Sequence, residues 1–412
     1  MNRNPILMRA MTPPSGETRI GTKKAVSRAG PVRLCGALAV LALETERRTM
    51  TIGSKATKMT ARIAVGLGLI VLALLVPGLL RPANGNTPFV MTNMRGHPGL
   101  SVMTYNIEGL PWPVRLGREA AFTKIGARLE ALRLLGEQPH IVVLQEAFTD
   151  QAKRIGVEGG YRYIVNGPDR SLAGAAITTE ADRAFQRDAS FFSGERSGKV
   201  VDSGLQILSD YPILSVRRMA FPTCAGFDCL ANKGAVLAMI AVPGLGEPIA
   251  VVDVHLNSRR ASHVADDRSL YAYRRQIDAL DQFLAANVKP GTPVIVAGDF
   301  NVGQRPARQA YFTAHLRKWG ERAPGAVRDA LHSCLAAPAI CGAMPSDAAF
   351  SLARARDWEL AVPGERAELA VDGLSVPFGH EIDERMLSDH VGYVAYYDVV
   401  RKRPAATAIA RS

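Results

Sequence analysis

From residue 100 onward, short apolar runs alternate with segments whose apolar positions recur every three or four residues. Residues 100–106 (LSVMTYN), 141–144 (IVVL), 204–208 (GLQIL), 235–242, 249–255 (IAVVDVH), 294–297 (VIVA) and 391–399 have the length and continuity of buried strands. Residues 119–135 predict a helix, with Phe122, Ile125, Leu129 and Leu132 on one stripe. Residues 269–284 predict another, with Tyr273, Ile277, Leu280 and Leu284 on its apolar face. Two long stretches, 167–198 and 323–351, read as loop-rich excursions, the first around Phe191-Phe192. No internal repeat or Ser/Gly linker interrupts the pattern, so residues 100–400 read as one α/β domain.

A different pattern precedes it. Ile63 to Leu80 (IAVGLGLIVLALLVPGLL) is an unbroken run of eighteen apolar residues, preceded by Lys55, Lys58 and Arg62 and followed by Arg81-Pro82 and Ala83-Asn84-Gly85. A basic flank, an apolar core and a small-residue exit describe a signal peptide over residues 59–85. An uncleaved membrane anchor is the alternative, since the run is near the minimum for a span. Residues 1–58 show little pattern beyond an apolar patch at 34–43, and read as an extension or disordered leader. The start of translation is then Met1, Met50 or Met59.

Charge changes the picture once it is located. Of the 412 residues 47% are hydrophobic and 21% charged, an ordinary globular balance that excludes a mainly disordered or fibrous chain. The net charge of +12 suggests a nucleic-acid binder. However, residues 1–85 hold 13 Lys and Arg against 3 Asp and Glu, whereas the remainder holds 37 against 35. The body is near neutral and makes no bulk electrostatic case for nucleic acid. Beyond Cys35 in the leader, Cys224, Cys229, Cys334 and Cys341 fall into two close pairs. An even count in short loops of an exported chain predicts Cys224–Cys229 and Cys334–Cys341 disulfides. Zinc ligation and buried free thiols are the alternatives, and neither pair has CxxC spacing.

Polar residues recur where apolar strands end. Asn106 closes VMTYN, Glu146 follows IVVLQ, His255 closes VVDVH, Asp299 and Asn301 follow VIVAG, and Asp389 and His390 precede VGYVAYY. Strand ends at one rim of a sheet bring distant positions into one site. The residue types fit together as well. Carboxylates are hard oxygen ligands for Mg²⁺, Asn donates to phosphate oxygens without adding charge, and His transfers protons near neutral pH. Each has a structural explanation alone, as a cap, an Asx turn or a satisfied core histidine. The set and its order point to metal-assisted attack of water on a phosphate ester.

The ordered motifs TYNIEGLP, VVLQEAF, SGLQILSDYPI, NKGAVLAMI, VDVHLNS, VAGDFNV, ARDWEL and LSDHVGY resemble those of the endonuclease/exonuclease/phosphatase superfamily. That superfamily includes deoxyribonuclease I, abasic-site endonucleases, inositol-phosphate phosphatases and neutral sphingomyelinases. The resemblance implies a four-layer α/β sandwich, two central packed β-sheets flanked by helices. It also implies that Glu146 is the main Mg²⁺ ligand (Mn²⁺ being a substitute) and that Asn106 helps organise the metal and the attacking water. His255 and Asn301 bind the scissile phosphate, and Asp299 orients or activates the nucleophile. His390 is the general base, or an acid in a mechanistic variant, and Asp389 assists the metal or the charge balance. The resemblance further implies an Asp that orients His390, which is Asp357 in ARDWEL, with Asp383 as a rival.

Export argues against intracellular DNA repair or inositide signalling. The stretch CAGFDCLANKGAVLAMI is similar to a segment of secreted bacterial sphingomyelinases. Asn257 stands where those enzymes typically carry Gln, and no exposed aromatic hairpin is identifiable. Phe191-Phe192 could substitute for it, but a buried pair is the favoured reading. Arg274, Arg275 and Gln276 match a common family pattern or form a solvated helix face. Two functions follow. The first is a monomeric, exported Mg²⁺-dependent phosphodiesterase, periplasmic or extracellular, in transient contact with a membrane surface. For it a phospholipid head group such as that of sphingomyelin stands narrowly ahead of nucleic acid as substrate. The second is a non-catalytic binding protein retaining the fold.

Overall fold

Which residues form sheets follows from where β-branched runs can be buried on both faces. The computed structural model describes residues 99–401 except 112–113, 177–178, 323–325, 342–344 and 382–384. The leader with its candidate start sites, Cys35 and Asp383 lie outside the described residues. One six-stranded sheet holds β1 (Leu100–Asn106), β2 (Ile141–Gln145), β3 (Tyr163–Asn166), β4 (Gln206–Ser209), β11 (Ala367–Phe378) and β12 (Gly392–Arg401), ordered β11-β12-β1-β2-β4-β3. The other holds β5 (Ile213–Ala220), β6 (Gly234–Ile240), β7 (Ile249–His255), β8 (Val294–Asp299), β9 (Arg328–Asp329) and β10 (Asp357–Val362), ordered β5-β6-β7-β8-β10-β9. The pairs β1/β2 and β7/β8 are parallel and the remaining pairs antiparallel.

The sheets pack face to face through Val102, Ile141, Val143 and Ile207 on one side and Val236, Val251 and Ile295 on the other. Alternate residues of the same strands face outward. Met103, Val142 and Leu144 meet Phe122, Ile125, Leu129 and Leu132 of α1 (Glu119–Leu134). Val252, Val254 and Val296 meet Tyr273, Ile277 and Leu280 of α3 (Asp266–Asn287), and Phe312 and Trp319 of α4 (Pro306–Arg322). These layers are the expected four-layer α/β sandwich. Helix α3 begins three residues earlier than its apolar stripe predicts, with Asp266 and Asp267 in its first turn, where acidic side chains favour the helix dipole.

Several expectations need correction. Helix α2 (Glu180–Arg187) lies within the supposed loop 167–198, capped by the Thr179 hydroxyl accepting from the Asp182 N–H. Ala330–Ala336, Pro338–Cys341 and Ser346–Arg354 are helices in and beyond the second such stretch. Strands β3, β5, β9, β10 and β11 had no counterpart in the pattern of apolar runs. Phe191 and Phe192 are not buried but 66% and 91% exposed. Cys224–Cys229 and Cys334–Cys341 are disulfides, which sets aside zinc and free thiols. Among the described residues no helix is long and apolar enough to cross a membrane.

Candidate active site

Strand register assembles the site. Asn106 pairs with Gln145 across β1 and β2, so Asn106 and the next residue, Glu146, emerge at one rim. In the other sheet His255 pairs with Asp299, and Asp299 pairs with Asp357, placing three polar side chains on adjacent strands. His390 lies just before β12. Gly298, beside Asp299, has φ 138°, and a Cβ there would stand 2.1 Å from the Val254 carbonyl oxygen. Glycine is therefore required for β8 to run this close to β7. Glu146 and Asn301 take left-handed backbone, with φ of 60° and 47°. Asn tolerates that region, whereas Glu pays for it, and such departures gather at functional sites.

Asn106 joins the two sheets: its Nδ2 donates to Glu146 Oε1 and to Asp299 Oδ2, each at 3.1 Å. Asp299 Oδ1 accepts from the Asn301 N–H at 2.9 Å, and Asn301 Nδ2 donates to the Leu256 carbonyl at 3.0 Å. His390 Nδ1 lies 2.8 Å from both carboxylate oxygens of Asp357, which fixes it as the donor and leaves Nε2 for chemistry. That Nε2 is 3.8 Å from Asp299 Oδ2, while His255 Nε2 is 3.5 Å from the same oxygen. Asp389 is placed differently. Its carboxylate is 51% exposed, 3.9 Å from His390 Nε2, and 3.7 and 3.9 Å from Arg354 and Arg356.

Two buried charges were missed. Lys233 Nζ is 2.8 Å from Asp228 Oδ1 and 2.9 Å from His255 Nε2, and all three residues are buried. Lys233 entered the sequence reading only as part of the NKGAVLAMI motif, although a lysine just before an apolar strand was the available signal. Arg308, on α4, donates to the carbonyls of Asn257 and Asn301 at 2.8 Å and to Ser269 Oγ at 2.7 Å. Asn257 accepts from the Ala225 N–H at 2.9 Å and so ties the first disulfide loop to the site. Gln276 points inward to Asn257 and Thr223, and Arg275 grips Asp182. These two are structural rather than a solvated face.

Burial pushes Glu146 up to about 7, against the pull of Lys233, the Asn106 hydrogen bond and His390. It also raises Asp299, which His390 partly offsets. Burial alone would lower His390, but the Asp357 carboxylate outweighs it and holds the imidazole up at about 9. Burial, then Lys233 and His390, push His255 well below its ordinary range, so its ring is neutral. Asp299, Asp357 and His390 bring ligand atoms within 4.8 Å of one another, but His390 Nδ1 is committed to Asp357. A divalent cation fits better at Glu146, a carboxylate destabilised by burial beside the amide of Asn106. The carboxylate of Glu146 is the hard oxygen ligand there, whereas Asn106 turns its Nδ2 to Glu146 and its Oδ1 to the Glu108 N–H, so that it orients the carboxylate.

The chain belongs to the endonuclease/exonuclease/phosphatase family, whose model matches residues 103–391. Members of that family hydrolyse phosphate esters and use divalent metals. No curated protein matches the chain. Among solved structures it is similar to beta toxin from Staphylococcus aureus, with 18% identity over 73% of this chain and 100% of that one and a TM-score of 0.50. Sphingomyelinase C from Streptomyces griseocarneus is similar at 21% identity, over 73% of this chain and 100% of that one, with a TM-score of 0.49. A humanized TDP2 of D. rerio is similar at 16% identity, over 73% and 98%, with a TM-score of 0.46. At these identities the likeness concerns the fold.

Proposed function

We propose that the chain is an exported, Mg²⁺-dependent phosphodiester hydrolase, with residues 100–400 as its catalytic domain and residues 59–85 as signal peptide or anchor. The observation that carries this reading is the convergence of the Asp357–His390 pair and Asn106 on one carboxylate, Asp299, at the rim both sheets share. Mg²⁺, or Mn²⁺ in its place, held by Glu146 with Asn106 beside it, would neutralise charge on the bound phosphate.

The protein's own groups supply the rest. Asp299, raised by burial, orients water and takes its proton. His390, whose proton affinity is raised by Asp357, gives a proton from Nε2 to the leaving oxygen. Of the two roles open to His390, acid is thus favoured at neutral pH. Lys233 supplies positive charge beside the neutral His255, and Asn301 donates to the phosphate without adding charge. Asp389, exposed and flanked by two arginines, adjusts local charge. The two disulfides support export, because such bonds persist outside the reducing cytosol.

The test is initial-rate hydrolysis of bis(p-nitrophenyl) phosphate, sphingomyelin vesicles and plasmid DNA, with Mg²⁺ and with chelator, beside His390→Ala. Hydrolysis that chelator abolishes and the variant reduces by about 10²-fold or more is expected. A His390→Ala protein with the wild-type rate would remove the mechanism.

A further inference from the structure

Beside the buried centre lies an open cleft of about 570 Å³ with Asn301 in its wall. Its lining includes six arginines: Arg259, Arg260, Arg305, Arg308, Arg354 and Arg356. Their counter-charges are few. Asp266 is shared by Arg259 at 2.7 Å and Arg305 at 3.3 Å. Asp389 is shared by Arg354 at 3.7 Å and Arg356 at 3.9 Å. Among the described residues Arg260 has no carboxylate partner, and Arg308 spends its donors on neutral oxygens.

The scissile phosphate does not account for this excess. It already has Lys233, His390 and the Glu146 position for a cation. Guanidinium groups match phosphate oxygens two at a time, and like charges that outnumber their carboxylate partners favour an anion between them. We propose that the arginine cleft is a second phosphate subsite, and that the preferred substrate carries a phosphate group besides the one hydrolysed. This rests on the phosphodiesterase reading and narrows it. A choline head group fits poorly, being cationic and usually caged by aromatic rings, whereas no aromatic ring is in the lining among the described residues. The same lack of stacking surfaces favours a compact phosphorylated head group over single-stranded nucleic acid.

The experiment compares substrates matched but for one phosphate, using the full-length protein with Mg²⁺. Glycerophosphoinositol is set against its 4-phosphate, and the dinucleotide TpT against pTpT, with bis(p-nitrophenyl) phosphate as the single-phosphate reference. The protein is compared with the double variant Arg260→Ala, Arg305→Ala, whose side chains are exposed. For the 4-phosphate, kcat/KM is expected to exceed that of its partner by about tenfold or more, and the double variant to erase the preference. Rates on bis(p-nitrophenyl) phosphate should stay within about twofold. A preference confined to pTpT supports the subsite and replaces the head group by a nucleotide chain. Equal rates within both pairs, or a preference untouched by the double variant, overturn the subsite. If no ester is cleaved, the hydrolase reading fails by itself. The cleft is then judged by binding of fluorescent glycerophosphoinositol 4-phosphate to His390→Ala, and salt-sensitive binding lost on adding the two arginine changes upholds it. Binding that those changes leave intact overturns it.

Discussion

The buried centre and the arginine cleft meet at Asn301 yet are built in opposite ways. Asn106, His255, Asp299 and Asp357 sit at strand ends where ladder register dictates each neighbour, and each is at most 4% exposed. The arginines come instead from the connection after β7, the connection after β8, the first turn of α4 and the segment entering β10. The centre is surplus in carboxylates that burial makes uncomfortable, while the cleft is surplus in cations, of which Arg259, Arg260 and Arg305 are exposed. Fixed register suits proton transfer and phosphate activation, which tolerate little displacement. Loop-borne charge suits recognition of what surrounds the reacting phosphate, and it can change without disturbing the sheets.

The largest expected effect separates these roles. Asp357→Asn removes the carboxylate that orients His390 and raises its proton affinity. Turnover should fall by about 10²–10⁴-fold, equally for substrates with and without a second phosphate. Steady-state kinetics on the matched pairs checks it, with circular dichroism confirming the fold. A loss that depends on the second phosphate would mean that centre and cleft are one unit.

Arg308 is where the regions are joined, and it tests whether they are mechanically separable. Its guanidinium lies over the Tyr273 ring at 4.3 Å and is buried against the carbonyls of Asn257 and Asn301. Arg308→Met leaves those acceptors unmet and should cost about 2–4 kcal/mol in urea unfolding. Arg305→Ala, in the exposed rim of the same cleft, should change stability by no more than about 0.5 kcal/mol. Similar values for both would place Arg308 with the rim.

The contrast also explains what could be read from the sequence. Apolar runs revealed the interior strands except β10, where Trp358 and Glu359 interrupt the run, and the polar residue ending each run revealed the centre. Of the five strands left unread, β3, β5, β9 and β11 are the outer edges of the two sheets. Edge strands bury one face or less: β5 carries Arg217 and Arg218 outward, and β11 alternates buried with half-buried positions. Without a continuous apolar run they resemble loops. The cleft was illegible for a related reason. Each arginine alone looks like ordinary surface charge, and only the packing of several connections shows that six of them share one space. Lys233 and Asp228 fell between these cases, charged residues beside a turn that folding buries together. Phe191-Phe192 failed the other way, since apolarity says nothing about whether a loop has a surface to cover it.

Glu146 should show the two demands on the centre pulling apart. Its folded-state pKa of about 7 stands above the ordinary value of 4.5. Protonation therefore favours the folded state, and the stability it contributes is full below about 4.5 and lost as pH rises through about 7. Glu146→Gln should be inactive, yet at pH 8 in chelator more stable than wild type by about 1–2 kcal/mol, with the gap closing near pH 4.5. Adding Mg²⁺ should raise the melting temperature of wild type and leave that of the variant unchanged. An equal rise in both would move the cation away from Glu146.

Asp253 marks how far the centre extends into the space between the sheets. It sits on β7, fully buried, with Oδ1 accepting from Gln145 Nε2 at 2.7 Å and Oδ2 without a partner. Burial holds its carboxyl well above the usual carboxylate range, so it is neutral in the folded protein where the unfolded chain would ionise. Its contribution to stability is present at acid pH and declines as pH rises past the ordinary aspartate range of about 3.9. Asp253→Asn keeps the acceptor for Gln145 and removes the titration. Urea midpoints should show a gain of about 1 kcal/mol at pH 8, little change at pH 4, and unaltered turnover. A tenfold fall in turnover with stability intact would instead place the Gln145–Asp253 bridge among the groups that position Glu146, one residue away, and would draw the boundary of the centre inside the core rather than at its rim.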